Sequence, residues 1–256
     1  MPPGPRSSDE VRSYALPFGA DPFAELSASA RLDAVGKGRT GATLTRVDQA
    51  GGVPLVRTTG RYDSPPQRFR AVHERLAQQV REHAAVPADF NNALIEIYTD
   101  AYTTMGSHSD QALDLADESF IAVFSCYRDP EAGPPRRLVF ESKESAGEGF
   151  EIPLTHNGVV VFSVASNRRL RHKIVADRPA RPSEHQWLGV TLRTSKTVIR
   201  FRDEQAQLPQ GAQLRPADEE EQQEFYRLRR RENTETDFTY PPLTYTVSPG
   251  DLMPPV

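Results

Sequence analysis

Phe120-Ile121-Ala122-Val123-Phe124-Ser125-Cys126-Tyr127 is apolar almost throughout. A run of this length, rich in β-branched and aromatic residues, reads as a strand buried on both faces. Strand-like segments continue on either side of it. Upstream lie 53–58 and 93–98; downstream lie 137–141, 150–154, 159–163, 171–175, 187–193 and 197–201. Asn157-Gly158, between two of these runs, is the strongest short hairpin signal in the chain. Many evenly spaced strands predict a mainly β (α+β) fold, a double-sheet core of jelly-roll type with flanking helices.

The flanks carry their own signals. Asp21-Pro22-Phe23-Ala24-Glu25-Leu26 reads as a helix start, with Asp21 as N-cap and Pro22 at the first helical position. Pro65-Pro66 suits a second helix N-terminus. Phe69, Val72, Leu76 and Val80 then recur at helical spacing up to Val86-Pro87, and this helix is expected to cover one face of a sheet. Asp218 to Arg231 places its acids first and its arginines last, the order that complements a helix dipole. The tail around Phe238-Thr239-Tyr240-Pro241-Pro242 is expected to pack as an extended strap. Residues 1–10 are expected to be loose. The 256 residues read as one domain: a flank 1–52, a core 53–202 and a C-terminal extension 203–256.

Composition narrows the function classes. The chain is 37% hydrophobic and 26% charged, as folded soluble proteins are. It has neither an apolar run of membrane-spanning length nor a signal-like N-terminus. One cysteine, Cys126, allows no internal disulfide, fits a reducing compartment and reads as a small buried hydrophobe. A soluble, intracellular (cytoplasmic) protein is expected. A net charge of −4 argues against a protein built to coat nucleic acid. The basic runs 168–173 and 227–231 read first as solvated or helix-end charge. Phosphate loops, nucleophile elbows, H-E-x-x-H helices and cysteine clusters are missing from the sequence.

Chemistry concentrates at Thr103-Thr104-Met105-Gly106-Ser107-His108-Ser109-Asp110. On extended backbone, residues two apart share a face, so His108 and Asp110 would lie side by side. One imidazole and one carboxylate make two thirds of the 2-His-1-carboxylate face that holds a non-haem Fe(II) with open positions. His172 is the candidate second histidine. An isolated strand histidine is ordinarily a surface or hydrogen-bonded side chain, but Arg193 follows it at the end of an apolar strand. An arginine there could grip a carboxylate with its fork. Together, in this order and on strands, they favour an iron site. His73 and His83 fall on the predicted helix, His156 in a turn and His185 in a polar loop.

The chain resembles the AlkB-like branch of the Fe(II)/2-oxoglutarate-dependent dioxygenases. The resemblance is carried by Phe90-Asn91-Asn92-Ala93-Leu94-Ile95-Glu96-Ile97-Tyr98, His108-Ser109-Asp110, residues 152–158, Arg171-His172-Lys173-Ile174-Val175 and Val190-Thr191-Leu192-Arg193-Thr194, within about residues 55–201. It implies a double-stranded β-helix core, Fe(II) bound by His108, Asp110 and His172, and 2-oxoglutarate as cosubstrate. Arg193 would hold a cosubstrate carboxylate, and Tyr98 would hydrogen-bond the cosubstrate. O₂ would be consumed, with succinate and CO₂ released. Two positions depart from the pattern. Glu96 stands where the family usually has Asn, and Trp187 where it usually has a second arginine. Glu96 is expected to point elsewhere or to pair with a base such as Lys196, and Trp187 to be a pocket wall or a core residue.

An oxidoreductase is therefore expected, one that hydroxylates or oxidatively demethylates a nucleobase- or nucleotide-type substrate. The alternatives are a metabolite hydroxylase of the same class and a binding module that kept the fold without the chemistry. Repair members of the family grip a flipped base with a lid ahead of the core. Tyr62 and Arg61 lie in that region, where a turn before the helix is the plainer reading. No membrane partner is expected, and the net charge does not favour nucleic acid.

Overall fold

The strand at Phe120–Tyr127 is the middle of a large sheet, and both of its faces are covered. The computed structural model describes residues 10–18, 21–102, 105–145, 147–176 and 185–256. Of residues 1–10, expected to be loose, 1–9 lie outside the described residues, as do Thr103-Thr104. In chain order the elements are β1 (Val11–Ala15), α1 (Pro22–Ser27), β2 (Asp33–Gly36), β3 (Arg39–Thr45), β4 (Val53–Leu55), β5 (Gln67–Arg68), α2 (Ala71–Ala84), β6 (Asn92–Tyr98), β7 (Phe120–Tyr127), β8 (Arg137–Ser142), β9 (Gly149–Pro153), β10 (Gly158–Ser163), α3 (Val164–Arg169), β11 (Leu170–Val175), β12 (Trp187–Arg193), β13 (Thr197–Arg202), β14 (Gln205–Gln207), β15 (Arg215–Pro216), α4 (Glu219–Glu232) and β16 (Tyr245–Thr246).

An eight-stranded sheet runs β1-β10-β7-β12-β6-β3-β2, with β5 added parallel to β3. A three-stranded sheet, β11-β8-β9, faces it. Strand alternation divides β7 between two cores. Ala122, Phe124 and Cys126 pack with Leu76 and Val80 of α2 and Phe23 and Leu26 of α1. Ile121, Val123 and Tyr127 face inward with Phe140, Phe162, Tyr98 and Trp187. Fully buried side chains such as Leu76 and Val80 each contribute about 2 kcal/mol. The result is a double-stranded β-helix with flanking helices, as expected from the strand spacing.

Two local expectations change. The helix after Pro65-Pro66 begins only at Ala71, because Gln67 and Arg68 pair with Leu44 and Thr45. Asn157-Gly158 forms a turn, with Gly158 N–H donating to Thr155 O at 3.0 Å and Asn157 at φ 59°. It does not close a hairpin, however, since β9 pairs with β8 and β10 with β7 and β1. The turn is the corner where the chain leaves the small sheet for the large one. α3 is capped by Ser163 Oγ accepting from Ser166 N–H at 3.0 Å, and it turns Ser166 and Asn167 inward, where both are buried.

Asp21 caps α1 and Asp218 caps α4. The strap from Phe238 to Val247 packs on Phe225 and Leu228 of α4. The buried Arg57–Asp114 pair fastens it, with Arg57 Nη1 donating to the carbonyls of Leu243 and Tyr245. Among the described residues no helix is long and apolar enough to cross a membrane.

Candidate metal centre and its surroundings

His108, Asp110 and His172 converge, with one ligand atom from each within 4.8 Å of the others. The two histidines come together through backbone pairing. His108 N–H donates to His172 O at 2.9 Å and His172 N–H to His108 O at 2.6 Å, which extends the small sheet by one bridge. Asp110, two residues on, turns its carboxylate to the same side, 3.5 Å from His172 Nε2. His108 Nδ1 lies 2.8 Å from Gly106 O. A proton on Nδ1 would satisfy that carbonyl and leave Nε2 as the free donor atom. Burial, then the neighbouring His172, push His108 down to about 3. Burial alone would raise Asp110, but Arg193 and the contact with His172 outweigh it and hold the carboxyl well below the usual range. Neutral imidazole and ionised carboxylate are the forms a divalent cation takes.

The ligand strand is gripped mostly by side chains. Asn167, buried in α3, accepts from Asp110 N–H at 2.7 Å and donates to Asp110 O at 2.7 Å. Ser109 turns away, as expected, and its hydroxyl donates to Leu170 O at 2.8 Å. Its backbone is held by the C-terminal end of α4: Asn233 Oδ1 accepts from Ser109 N–H at 3.0 Å, and Arg229 donates to Ser109 O. Glu232 accepts from Ala112 N–H at 2.7 Å and pairs with Arg229. The sequence carries no signature for this long-range clamp. For Asn167 the only signal was the Ser163 cap, which makes the segment helical and turns it inward.

Arg193 ends β12 beside the triad, its Nε donating to Asp110 Oδ2 at 2.7 Å. Its Nη1 is buried without a partner. Tyr98 is inward and buried, but its hydroxyl donates to Glu96 Oε2 at 2.7 Å. Glu96 also accepts from Tyr62 at 2.9 Å and from Arg39 Nε at 2.9 Å. Arg39 is therefore the base that neutralises Glu96. Lys196, the base expected there, faces Asp117 instead, because β3 brings Gly41 opposite Glu96 and Arg39 opposite Tyr98. Burial first, then Glu96, raise both phenols, so they stay protonated donors.

Trp187 is a core residue facing the same interior. Its Nε1 donates to Ser125 Oγ at 2.6 Å, and its ring stands 5.0 Å from that of Tyr98. The indole needs the bare floor beside it, since a Cβ on Gly189 would meet it at 2.5 Å. Cys126 is fully buried in the helix-side core, with its thiol raised by burial. His73, His83, His156 and His185 lie outside the triad. His73 is buried against Ser29, His83 is near Gln79 O, His156 accepts from Tyr127 N–H, and His185 packs on Tyr127.

The residues fit an iron centre with a carboxylate-bearing cosubstrate. The donors are two imidazoles and one carboxylate, and a buried guanidinium N–H beside them lacks an acceptor. The sequence matches the model of the 2OG-Fe(II) oxygenase superfamily over residues 41–211. The chain belongs to that superfamily. Three solved structures are similar to the chain at low identity. OsALKBH1 is 15% identical, covering 63% of this chain and 81% of that one (TM-score 0.42). A Pseudomonas putida prolyl-4-hydroxylase is 15% identical, covering 72% and 92% (TM-score 0.44). A 2OG-Fe(II) oxygenase family oxidoreductase from Burkholderia pseudomallei is 14% identical, covering 67% and 75% (TM-score 0.41). No curated protein sequence matches. Family and triad together define an Fe(II)/2-oxoglutarate oxygenase, an enzyme of the oxidoreductase class.

Proposed function

We propose that the chain hydroxylates a C–H bond of a small organic substrate, with His108, Asp110 and His172 as the iron ligands. Arg193 and Tyr98 flank the 2-oxoglutarate site in this reading. The observation that carries it is the His108–Asp110–His172 cluster with the unpartnered Nη1 of Arg193 beside it. When bound, Fe(II) and 2-oxoglutarate supply oxygen activation: one atom of O₂ enters the substrate, the other enters succinate, and CO₂ leaves. This chain's residues hold and orient. Asn167 and the end of α4 fix the ligand strand, Arg193 offers its free N–H to a carboxylate, and the aromatic lining of Phe140, Phe162 and Tyr98 excludes water.

A small substrate is favoured over a nucleic-acid strand because the basic runs are already engaged. Arg168 pairs with Asp117, Arg169 with Glu10, and Arg171 and Lys173 with Glu141. On α4, Arg227 pairs with Glu224, Arg229 with Glu232 and Arg231 with Glu235. Tyr62 is buried on Glu96, and Arg61 donates to Gln222 of α4, so neither is placed as a lid over a base. A nucleobase- or nucleotide-type substrate is the second reading, supported by the AlkB-like motif series from Asn91 to Arg193. On an N-methyl carbon, hydroxylation would release formaldehyde and the amine. Succinate release, measured with panels of free metabolites, nucleosides and oligonucleotides, tests both readings. Stimulation confined to oligonucleotides, with steeply salt-dependent binding, would overturn the small-substrate reading.

A further inference from the structure

Strand alternation gives β13 two unlike faces. Ile199 packs with Val53 and Leu55 of β4 and with Leu214, while Val198, Arg200 and Arg202 turn to the other side, with Lys196 just ahead of the strand beside them. All three cations are exposed. They line a cavity of about 440 Å³, whose other walls include Gln207, directly across from Arg200 on β14, and the turn at Leu208-Pro209. Among the described residues no carboxylate lines this cavity. Arg200 donates to Ala50 O at 3.0 Å, which holds its side chain and leaves its charge unpaired. Arg202 faces no carboxylate among the described residues.

The cleft continues beneath the strap. Lys196, Leu208 and Pro209 are shared with a second cavity, of about 460 Å³, which runs against Pro241, Pro242 and Leu243. The buried Arg57–Asp114 pair in its wall is closed on itself. At its mouth one carboxylate, Asp117, serves both Arg168 and, at 3.4 Å, Lys196. The joined cleft therefore sets four cations, Arg168, Lys196, Arg200 and Arg202, against one accessible carboxylate, on a chain whose net charge is −4. A one-sign excess in a concave site focuses the field on ions of the opposite sign. Apart from Arg168, these cations lie outside the basic runs 168–173 and 227–231, whose charges are already engaged.

We propose that this cleft binds a small phosphate-bearing anion at a site separate from the metal centre. Phosphate groups sit on Arg200, Arg202 and Lys196, and the apolar part of the ligand lies against Pro241, Pro242 and Leu243. Guanidinium forks match phosphate oxygens in pairs, and the Gln207 amide adds a neutral donor beside them. Both volumes fall in the range of small-molecule pockets, and the strap and the Leu208-Pro209 turn wall the cleft, so a compact ligand fits better than a strand laid across an open face. His108, Asp110, His172 and Arg193 line neither cavity. The site is thus independent of the oxygenase reading, and each can fail without the other.

The test is calorimetric binding of inorganic tripolyphosphate to the full-length protein at low ionic strength, without divalent cations, which the probe would chelate. A single-stranded oligonucleotide is titrated in parallel. Wild type is expected to bind tripolyphosphate, and Arg200→Gln/Arg202→Gln to bind it at least about tenfold more weakly, as the loss of charge-assisted hydrogen bonds implies. Arg200→Lys/Arg202→Lys is expected to fall between them, since point charges replace forks. Arg227→Gln/Arg230→Gln removes the same charge from exposed positions on α4 and is expected to bind as wild type does, as is Arg193→Met. The substituted cleft side chains are exposed, so the variants are expected to fold, which circular dichroism checks. Four results would each overturn the site: no tripolyphosphate binding by wild type, full affinity in folded Arg200→Gln/Arg202→Gln, an equal loss in either the α4 pair or Arg193→Met, and binding of the oligonucleotide alone.

Discussion

Arg193 Nε donates to Asp110 Oδ2 at 2.7 Å, so the guanidinium proposed to receive a cosubstrate carboxylate also touches one of the proposed iron ligands. The two functions are separable. Arg193→Met removes both the free Nη1 donor offered to an acidic ligand and the Nε hydrogen bond to Asp110, while the donor atoms of His108, Asp110 and His172 themselves remain. Expected is a loss of 2-oxoglutarate affinity of at least about tenfold, with Mn(II) affinity held or increased because a neighbouring positive charge is gone. Calorimetry with metal alone and then with metal plus 2-oxoglutarate separates them. A variant that loses metal binding outright would contradict the division.

The grip of α4 on Ser109 makes the C-terminal extension part of the candidate metal centre. Asn233→Ala leaves Ser109 N–H without its acceptor, and Arg229→Met removes both a donor to Ser109 O and the partner of Glu232. Metal affinity is expected to fall about tenfold or more in each, in the range found for groups that orient ligands from behind. Arg230→Ala, on the exposed side of the same helix, is expected to bind metal as wild type does. Metal titration of folded variants decides; unchanged affinity in Asn233→Ala and Arg229→Met would leave α4 as cladding only.

Glu96 is stable inside the core because Arg39, Tyr62 and Tyr98 all donate to it. Removing the cation while leaving the carboxylate is the damaging change. Arg39→Met is expected to cost about 2 kcal/mol or more, and the double variant Arg39→Met/Glu96→Gln to recover part of that loss. Urea unfolding of the four proteins measures the coupling. Additive losses would show that the pair is not a unit.

His73 supplies a pH dependence that has nothing to do with the metal. Its Nδ1 accepts from Arg70 N–H at 2.9 Å at the start of α2, its other nitrogen faces Ser29 Oγ at 2.7 Å, and burial pushes it down to about 4. The unfolded chain binds a proton near 6.5, so the folded state is at full advantage above that value. It loses stability as pH falls from 6.5 to 4, by up to about 3 kcal/mol. His73→Gln is expected to flatten this slope. An unfolding midpoint that falls equally in both proteins over that range would place the acid sensitivity elsewhere.

Much of this arrangement was legible in the sequence, and the parts that were not share a cause. Strand alternation and apolar runs locate β6 to β13 to within a residue or two, because half-buried pleated strands repeat every two residues. His108, Asp110 and His172 were legible because their chemistry demands those side chains on extended backbone. Asn157-Gly158 specifies a turn, but which strands flank it in hydrogen bonds depends on the sheet each one joins. Glu96 shows the same limit. Its neutralisation by Arg39 follows from β3 lying beside β6, a pairing between segments far apart in sequence. Asn167, Arg229 and Asn233 act through single hydrogen bonds across such distances and have no local pattern to read.

The central claim, that His108, Asp110 and His172 form an iron centre which takes 2-oxoglutarate beside Arg193, is most directly tested by anaerobic titration with Fe(II) and 2-oxoglutarate. The account predicts a weak visible metal-to-ligand charge-transfer band in wild type that is absent in His172→Ala and in Arg193→Ala. Folded, metal-loaded wild type that shows no band, or a band that persists in His172→Ala, would contradict it.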